Sequence, residues 1–387
     1  MPSAPDVVVI GAGVVGAACA LAAVRAGLTV EVLDRGPVAG GTTGAGEGNL
    51  LVSDKSPGPE LDLALLSLRL WAEVDEHVRA VTGGGFELEH KGGLVVAADP
   101  AGLPALSDLA RVQRDAGVEA EVVPAGELAA HEPHLAPDLA GGVLYPQDAQ
   151  VQPMLAAARM LQAARRQGAA VRTGVAVTGM LRDGDRVVGV RTPGGDVPSG
   201  AVVNAAGTWG GEVAVLAGVH LPVLPRRGVI LVTQPLPVVV RHKVYAAEYV
   251  ADVASDDAGL ESSAVVEGTR AGTVLIGASR ERVGFERAMP LPVVRRLAAQ
   301  AVRLFPLLAD VALLRSYAGL RPYCPDHLPV IGADPRAPGL LHACGHEGAG
   351  VGLAAATGHL LAQVLTGAEP AVDLSHLRPD RFAAVPA

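Results

Sequence analysis

The sequence predicts an α/β protein in which a domain built on a parallel sheet is interrupted by a domain built on an antiparallel sheet. A buried, β-branched strand at Val7–Ile10 leads through glycines into an alanine-rich helix, an order typical of parallel sheets. A similar strand returns only at Ala201–Asn204, which indicates an insertion between the two. Strand-like runs separated by turn residues dominate from Leu221 to Phe285, as in antiparallel sheets. We expect the first domain at 1–85, 140–215 and 318–387, and the second at 86–139 and 216–317.

Three glycines follow the first strand in a G-x-G-x-x-G pattern, at Gly11, Gly13 and Gly16. In a dinucleotide-binding turn the first glycine permits the tight turn, the second lets a pyrophosphate approach the backbone, and the third lets the helix pack on the strand. Val14 and Val15 then begin a helix whose free N–H groups and positive dipole end would face the phosphates. The alternative is a glycine turn of structural use only. The strand before the motif, the helix after it and the acid described next favour a Rossmann-like fold.

The second predicted strand, Thr29–Leu33, ends at an acidic residue, Asp34. A carboxylate at this place accepts hydrogen bonds from the adenosine ribose hydroxyls, which favours FAD or NAD over NADP. Arg35 follows directly and weakens this preference, because an arginine there accommodates a 2′-phosphate. The sequence therefore predicts a dinucleotide cofactor and favours one with a free ribose 2′-hydroxyl.

The loop from Gly36 to Leu50 is dense in glycine and threonine. Placed directly after the ribose acid, such a loop can wrap the diphosphate with hydroxyl and backbone N–H donors. The alternative is an ordinary surface linker, in which the carboxylate of Glu47 would be solvated. The loop residues that we expect to bind the cofactor are Thr42, Thr43, Gly46, Glu47, Gly48 and Asn49.

Composition restricts the class of protein without indicating an activity. A chain of 387 residues suits two domains, and a net charge of −9 argues against a nucleic-acid or anionic-membrane partner. The first strand begins too close to Met1 for a signal peptide and is too short to cross a bilayer. The cysteines, Cys19, Cys324 and Cys344, have no metal-binding spacing. We therefore expect no metal, no disulfide framework and a cytoplasmic location.

The remaining elements are predicted from periodicity and turn residues. We expect helices at 60–81, 103–116, 152–167, 291–304 and 353–365. We expect strands at 120–123, 141–145, 170–172, 229–233, 263–267, 273–278 and 339–343. The segment from Phe86 to Asp99 predicts a hairpin that turns at Gly92 and Gly93, and the segment from Arg182 to Pro198 predicts a two-stranded ribbon.

Five motifs occur in an order that resembles the D-amino-acid oxidase family of FAD oxidoreductases, which includes glycine oxidase and sarcosine oxidase. They are the N-terminal glycine motif with Asp34, NAAG at Asn204–Gly207, GLRP at Gly319–Pro322, DHLPVIG at Asp326–Gly332 and GHEGAGVG at Gly345–Gly352. In detail, the segments GEGNLLVSDK, PRRGVILVT and GHEGAGVGL are most similar to flavin subunits of dye-linked proline or hydroxyproline dehydrogenases, opine oxidases and hydrogen cyanide synthase. Those subunits work in heteromers, so the resemblance implies a partner subunit that carries a further redox centre.

The resemblance implies FAD, bound between the N-terminal glycine motif and the C-terminal glycine loop. Sarcosine oxidases tether FAD through a cysteine, but Cys324 does not align with it, so we expect non-covalent FAD. Arg321 matches the family arginine that binds the substrate carboxylate, with a structural ion pair as the alternative. Tyr249 approximately matches a tyrosine that helps to bind the carboxylate, and His346 would face flavin or substrate; a core tyrosine and a loop histidine are the alternatives. The further expected FAD contacts are Val175, Gly207, Trp209, Gly348, Ala349, Gly350 and Val351.

The activity implied is oxidation of the C–N bond of a small amino or imino acid by hydride transfer to flavin N5, giving an imine. Glycine, D-amino acids, proline or hydroxyproline, and opines are the candidate substrates, and both an oxidase and a dehydrogenase fit the motifs. One alternative is a non-catalytic or electron-relay flavoprotein subunit of a heteromeric complex. Another is a nicotinamide-dependent dehydrogenase, which would leave the C-terminal glycine loop without a use.

Overall fold

The computed structural model describes residues 4–253 and 257–382, and its first large sheet has six strands. In spatial order they are β18 (Val330–Ala333), β19 (Leu340–Cys344), β12 (Ala201–Asn204), β1 (Val7–Ile10), β2 (Val30–Asp34) and β8 (Ala170–Thr173). β1 pairs in parallel with both β2 and β12, and all four of its residues are buried. Only the edge strand β18 runs antiparallel to its neighbour. The apolar run at the start of the chain is thus the centre of a sheet covered on both faces.

Helices beside this sheet pack closely because the surfaces in contact are made of small residues. They are α1 (Val14–Arg25), α2 (Pro59–Thr82), α5 (Pro153–Arg166) and α9 (Gly350–Thr366), with α1 in contact with both α5 and α9. At Gly358 of α9, an added Cβ would lie 2.5 Å from the carbonyl oxygen of Ala18 in α1. The segment Glu347–Thr366 is long and apolar enough to cross a bilayer, but 56% of its most apolar stretch is buried inside the protein. Burial of this kind is typical of a core helix.

The second large sheet has eight strands and is mainly antiparallel. In spatial order they are β17 (Leu313–Tyr323), β13 (Leu224–Thr233), β16 (Val274–Arg280), β15 (Glu261–Gly268), β14 (Lys243–Ala246), β4 (Gly93–Ala97), β6 (Gly141–Tyr145) and β5 (Glu121–Pro124). Helix α8 (Leu291–Leu304) packs on β13, β15 and β16 and buries Val293, Leu297 and Ala301 in a separate apolar core. The sheet therefore has one face closed by a helix.

Shorter elements lie between the strands of the two large sheets along the chain. A three-stranded antiparallel ribbon consists of β9 (Gly179–Asp183), β10 (Arg186–Thr192) and β11 (Gly195–Pro198), and β3 (Asn49–Leu50) pairs with β7 (Ala149–Gln150). The remaining α-helices described are α3 (Leu103–Asp115), α4 (Leu128–His131), α6 (Gly210–Leu216) and α7 (Glu248–Val253). Turns of 3-10 helix lie at Thr42–Ala45, Ala125–Glu127, Gly207–Trp209, Pro306–Asp310, Glu347–Ala349, Ser375–Leu377 and Pro379–Arg381.

The predicted fold class is confirmed, but two domain boundaries differ from the expected ones. Gly141–Tyr145 was placed in the parallel-sheet domain, whereas β6 pairs with β4 and β5 in the eight-stranded sheet. The boundary at 318 falls inside β17, which pairs with β13 from Leu313 to Tyr323. Both errors have one cause: a strand's length and apolar content do not indicate which of two sheets it joins.

The predicted hairpin at Gly92 and Gly93 is wrong. The N–H of Gly92 donates to the carbonyl of Asp148, and β4 pairs with β14 and β6, while Glu89 only bridges Gln150. The ribbon between Arg182 and Pro198 has a third strand that begins earlier, at Gly179. Strand β17, which carries Arg321, and strand β14 were not predicted.

Candidate active site

A cavity of about 440 Å³ lies between the two large sheets, where β1, β2 and β12 end. Ile10, Leu33 and Ala205 line it from the six-stranded sheet, and Gly228 and Gly319 line it from the eight-stranded sheet. The carboxyl ends of parallel strands are where open α/β sheets bind ligands, and this volume is typical of a ligand pocket. The cavity is therefore the candidate site.

The glycine turn lies at the cavity wall and has the tight geometry that its pattern predicts. Gly11 has a φ of +115°, and an added Cβ would overlap the carbonyl oxygen of Ala205. A Cβ at Gly16 would overlap the carbonyl oxygen of Gly11, so the third glycine brings α1 against the turn. The Oγ1 of Thr43 accepts a hydrogen bond from the N–H of Val14 at 3.0 Å, which caps the first turn of α1.

The carboxylate of Asp34 is held by the backbone of the glycine turn and by the backbone of the loop that follows it. One carboxylate oxygen accepts from the N–H of Ala12 at 2.7 Å and the other from the N–H of Gly36 at 2.7 Å. Each oxygen keeps a second lone pair for a ribose hydroxyl. Beside it, the Arg35 guanidinium stacks on the Trp209 ring at 4.2 Å, and Trp209 stacks on Phe285 at 5.7 Å. Arg35 thus stacks on an aromatic ring beside the acid.

The loop after Asp34 is attached to the eight-stranded sheet and is not a solvated linker. The hydroxyl of Thr42 donates to the carbonyl of Leu320 at 2.6 Å, and that of Thr208 donates to the same carbonyl at 2.8 Å. Glu47 is 8% exposed; its Oε2 accepts from Asn49 at 3.1 Å and lies 3.6 Å from the Nζ of Lys243. Its Oε1 is buried without a hydrogen-bond partner among the described residues. The solvated alternative for Glu47 is therefore wrong.

Arg321 lies in the cavity wall on β17. Its guanidinium crosses β13 at Gly228, where an added Cβ would overlap Nη1, and Nη1 donates to the carbonyl of Ser279 at 2.8 Å. No Asp or Glu in the part of the chain that the structure describes forms an ion pair with it. Burial, and then the charge of Arg280, lower the pKa of Arg321, yet an arginine stays protonated at neutral pH. Arg321 is thus a half-buried cation without a counter-ion among the described residues, which contradicts the alternative of a structural ion pair within them.

Tyr249, on α7, also lines the cavity. It is 6% exposed, and Arg280 lies over its ring at 4.8 Å from the centroid. Burial raises the pKa of Tyr249, so its hydroxyl stays protonated and able to donate. Tyr249 is thus a buried tyrosine that is also a wall residue, and the two alternatives for it are compatible.

His346 and Glu347, at the start of the C-terminal glycine loop, both line the cavity but differ in charge. Burial lowers the pKa of His346 to about 3, and its Nε2 lies 3.0 Å from the hydroxyl of Thr357, so the imidazole is neutral. Burial acts to raise the pKa of Glu347, but hydrogen bonds with His327 and Arg226 outweigh it and lower the pKa overall. Glu347 is thus a buried, ionised partner of Arg226, and not a solvated loop acid.

Almost every residue expected to contact cofactor or substrate lines this one cavity. The expected residues that line it are Gly11, Gly13, Val14, Val15, Asp34, Arg35, Thr42, Thr43, Gly46, Glu47, Gly48, Asn49, Val175, Gly207, Trp209, Tyr249, Arg321, His346, Gly348, Gly350 and Val351. Gly16 and Ala349 are not in the wall: Gly16 packs behind the turn, and Ala349 packs on the apolar core. The sequence reading missed Gly228, Lys243 and Arg280, because no motif marks a residue whose role depends on pairing between strands.

The wall fits an adenine dinucleotide. One end has a helix N-terminus without acidic residues in its first turn, preceded by glycines that leave the backbone bare, and Asp34 lies beside it. A second glycine-lined helix start, at Gly348 and Gly350, faces the same space. The three cysteines are free and buried, and within residues 4–253 and 257–382 no group of three or more His, Cys, Asp or Glu could bind a metal. The two helix starts and Asp34 therefore provide donors and an acceptor at two separate places in the cavity, as an extended dinucleotide requires.

Comparison with known proteins agrees with this geometry. The family model described as "DAO: FAD dependent oxidoreductase" matches residues 6–364. The chain is 30% identical to hydrogen cyanide synthase subunit HcnC of Pseudomonas protegens, covering 98% of this chain and 97% of that protein. It is 32% identical to glycine oxidase of Pseudomonas aeruginosa, covering 96% and 98%. The crystal structure of glycine oxidase from Geobacillus kaustophilus superposes with a TM-score of 0.89 at 27% identity, over 98% of this chain and 99% of the other.

Proposed function

Because this chain belongs to the family of FAD dependent oxidoreductases, we propose that it oxidises the C–N bond of a small amino or imino acid. The observation that carries the proposal is the half-buried Arg321 guanidinium, which lines the cofactor cavity without a carboxylate partner among the described residues. An unpaired cation that is partly removed from water costs free energy until an anion binds to it, so the site suits a carboxylate. Glycine, D-amino acids, proline or hydroxyproline, and opines are the candidate substrates.

FAD, when bound, supplies the two-electron acceptor that takes hydride from the carbon next to nitrogen, so that a C=N bond forms as the nitrogen loses its proton to water. We propose that the glycine turn, Asp34 and the C-terminal glycine loop bind it without a covalent link. Cys324 supports this: it is fully buried behind Gly345, where an added Cβ would overlap its Sγ, and it does not line the cavity.

Orientation of the substrate is the main contribution of the protein. A guanidinium binds a carboxylate through two parallel hydrogen bonds, which fixes rotation as well as position. The hydrogen bond from Arg321 to Ser279 and the missing side chain at Gly228 set where that fork points. The hydroxyl of Tyr249 is a second donor for the same carboxylate. With the acid group fixed, the C–H bond to be broken is presented in one direction.

No protein base is required by this proposal. In a neutral amine the nitrogen lone pair forms the C=N bond as hydride departs, and the remaining proton moves to solvent. His346 lies at the start of the C-terminal glycine loop, and its pKa of about 3 makes it a poor base. The residues therefore bind, orient and exclude water, and the reacting nitrogen must arrive unprotonated.

Substitution of Arg321 tests the proposal. Arg321→Ala should lose about 2–5 kcal/mol of transition-state stabilisation, a fall in kcat/KM of roughly 30-fold to several thousand-fold, because a desolvated charge pair is broken. Gly228→Ala, which pushes the guanidinium aside, should give a smaller loss of the same kind. The yellow FAD spectrum should be retained in both variants. Unchanged turnover by Arg321→Ala would exclude this role.

Anaerobic bleaching of the bound FAD by a panel of amino and imino acids separates the proposal from its alternative. An electron-relay subunit binds FAD but is bleached by none of the panel. Reoxidation by air or only by a dye then distinguishes an oxidase from a dehydrogenase.

The similarity to a protein that is named as a subunit supports a further proposal, that this chain works with a partner. Copurification of a second chain with the tagged protein from its own host tests that.

A further inference from the structure

A second arginine, Arg280, lies next to the carboxylate-binding arginine on the same sheet. Antiparallel bridging of Arg227 with Glu281 places Arg280 beside Gly228, the residue over which the Arg321 guanidinium crosses. Arg321 in turn donates to the carbonyl of Ser279, the residue before Arg280. The two guanidinium groups are therefore neighbours: Arg321 lines the cavity, and Arg280 lies against Tyr249, another residue of its wall.

Arg280 is buried and has no polar partner in the part of the chain that the structure describes. It is 4% exposed, and no described residue accepts a hydrogen bond from its guanidinium or forms an ion pair with it. Its one contact of note is the face of Tyr249, a wall residue of the cavity. An arginine has five N–H donors, and these are left for a ligand.

The other buried cations near the site have carboxylate partners. Arg226 pairs with Glu261 and Glu347, and Lys243 pairs with Glu267 at 2.7 Å. Arg280 and Arg321 differ from them in having none among the described residues. A substrate with one carboxylate neutralises one of these two charges and leaves the other buried beside it, which is costly at low dielectric. A substrate with two carboxylates neutralises both.

We propose that Arg280 binds a second carboxylate, so that the substrate is a dicarboxylic amino or imino acid whose two acid groups bind Arg321 and Arg280. This rests on the proposed function for the identity of the first carboxylate site. The oxidised carbon and nitrogen lie between or beside the two acid groups, and the face of Tyr249 keeps the Arg280 guanidinium in place. Arg280 acts on specificity and not on the bond-breaking step.

Matched pairs of ligands test the second site. Iminodiacetate and its monoamide have the same shape and differ by one charge, as do D-glutamate and D-glutamine. For the pair that the enzyme oxidises, the diacid should have a kcat/KM roughly 10- to 100-fold higher, the size of a charge-assisted hydrogen bond. In Arg280→Met, which keeps the length of the side chain, this ratio should fall to near one, mainly through a higher KM for the diacid. Arg315→Met removes another arginine that stacks on a tyrosine and is the control; it should keep the ratio.

Binding of ligands that cannot be oxidised at nitrogen tests the second carboxylate site independently of the proposed oxidation. Thiodiacetate has two carboxylates and no oxidisable nitrogen, and methylthioacetate has one carboxylate. The holoenzyme should bind thiodiacetate at least tenfold more tightly in calorimetry, even if no amine in the panel is oxidised. Equal binding of the two by the wild-type protein overturns the second site, as does a preference that survives in Arg280→Met. If Arg280→Met does not bind FAD, Arg280→Lys is compared instead. The ratio of diacid to monoacid binding in the wild-type protein tests the second site even without a variant.

Discussion

At the scale of single residues, His346 lines the cavity, but its surroundings do not suit acid–base chemistry. It lies in the C-terminal glycine loop, yet burial lowers its pKa to about 3, and the hydroxyl of Thr357 lies 3.0 Å from its Nε2. The imidazole is therefore neutral at any pH at which the enzyme is assayed. We expect the pH profile of kcat/KM between about pH 5.5 and 8.5 to have the same limbs in His346→Gln as in the wild type. A limb near pH 6.5 that disappears in the variant would make His346 a catalytic acid or base.

Glu347 should contribute to stability in a pH-dependent way. Its folded pKa is lowered from 4.5, so its contribution is fully present above about pH 4.5 and is lost as pH falls through the lower, folded pKa. Glu347→Gln breaks a buried pair with Arg226 and should reduce the free energy of unfolding at pH 7 by about 2–4 kcal/mol. Glu286→Gln, whose carboxylate is 59% exposed, is the control and should cost little. Urea unfolding at pH 7 and pH 3.5 measures both; a cost for Glu347→Gln that does not shrink at pH 3.5 contradicts the assignment.

Sequence reasoning at this scale succeeded where a local motif fixes a role and failed where a role depends on a neighbour across the sheet. Gly11, Gly13 and Asp34 act through backbone geometry that their own spacing specifies. Gly228 and Arg280 lie beside Arg321 because β13 pairs with both β16 and β17. The sequence of one strand does not indicate with which other strand it pairs. Glu47 was expected to bind the cofactor, but its buried pairing with Lys243 required the fold.

At the scale of elements, the contact of α1 with α9 depends on a glycine. Gly358→Ala places a Cβ 2.5 Å from the carbonyl oxygen of Ala18, so the helices must separate and the free energy of unfolding should fall by about 1–3 kcal/mol. Gly126→Ala, at a position with nothing within 4 Å and no positive φ, is the control and should be neutral or slightly stabilising. Thermal unfolding of the two holoproteins compares them, and equal midpoints would contradict the packing argument.

Element prediction was accurate where one periodicity runs for several turns. Helix α8 was predicted at its observed bounds, 291–304, and α2 and α5 within about a residue or two at each end. β17 was missed because Leu313, Leu314 and Arg315 are exposed and Gly319 and Pro322 resemble turn residues. The false hairpin arose for the opposite reason, since two adjacent glycines indicate a turn even where the chain enters a sheet from a distant segment.

At the scale of the whole molecule, the cofactor cavity joins the two sheets, so FAD should stabilise the complete fold. Added FAD should raise the unfolding temperature of protein stripped of flavin, by an amount equivalent to about 2.7 kcal/mol at 100 times Kd. Gly13→Val brings a branched side chain toward Thr43, 3.1 Å from the nearest Cβ position, and blocks the phosphate path. This variant should remain colourless and show no FAD-dependent shift. Full FAD occupancy in Gly13→Val would contradict the role of the turn.

The overall arrangement, a parallel-sheet domain interrupted by an antiparallel one, was predictable because the strand Ala201–Asn204 has the same buried character as Val7–Ile10. The assignment of individual strands to sheets was not. β6 and β17 lie in the larger sheet although their neighbours in sequence belong to the cofactor side, because long-range pairing decides membership.

The position of β19 inside the six-stranded sheet has a consequence for biosynthesis. This strand lies between β12 and β18, so the growing polypeptide presents an open β12 edge until residue 344 has left the ribosome. The glycines at 348 and 350 emerge later still, so flavin capture must follow translation of nearly every residue described. Nascent chains stalled before this point should depend on chaperones that shield unpaired strand edges.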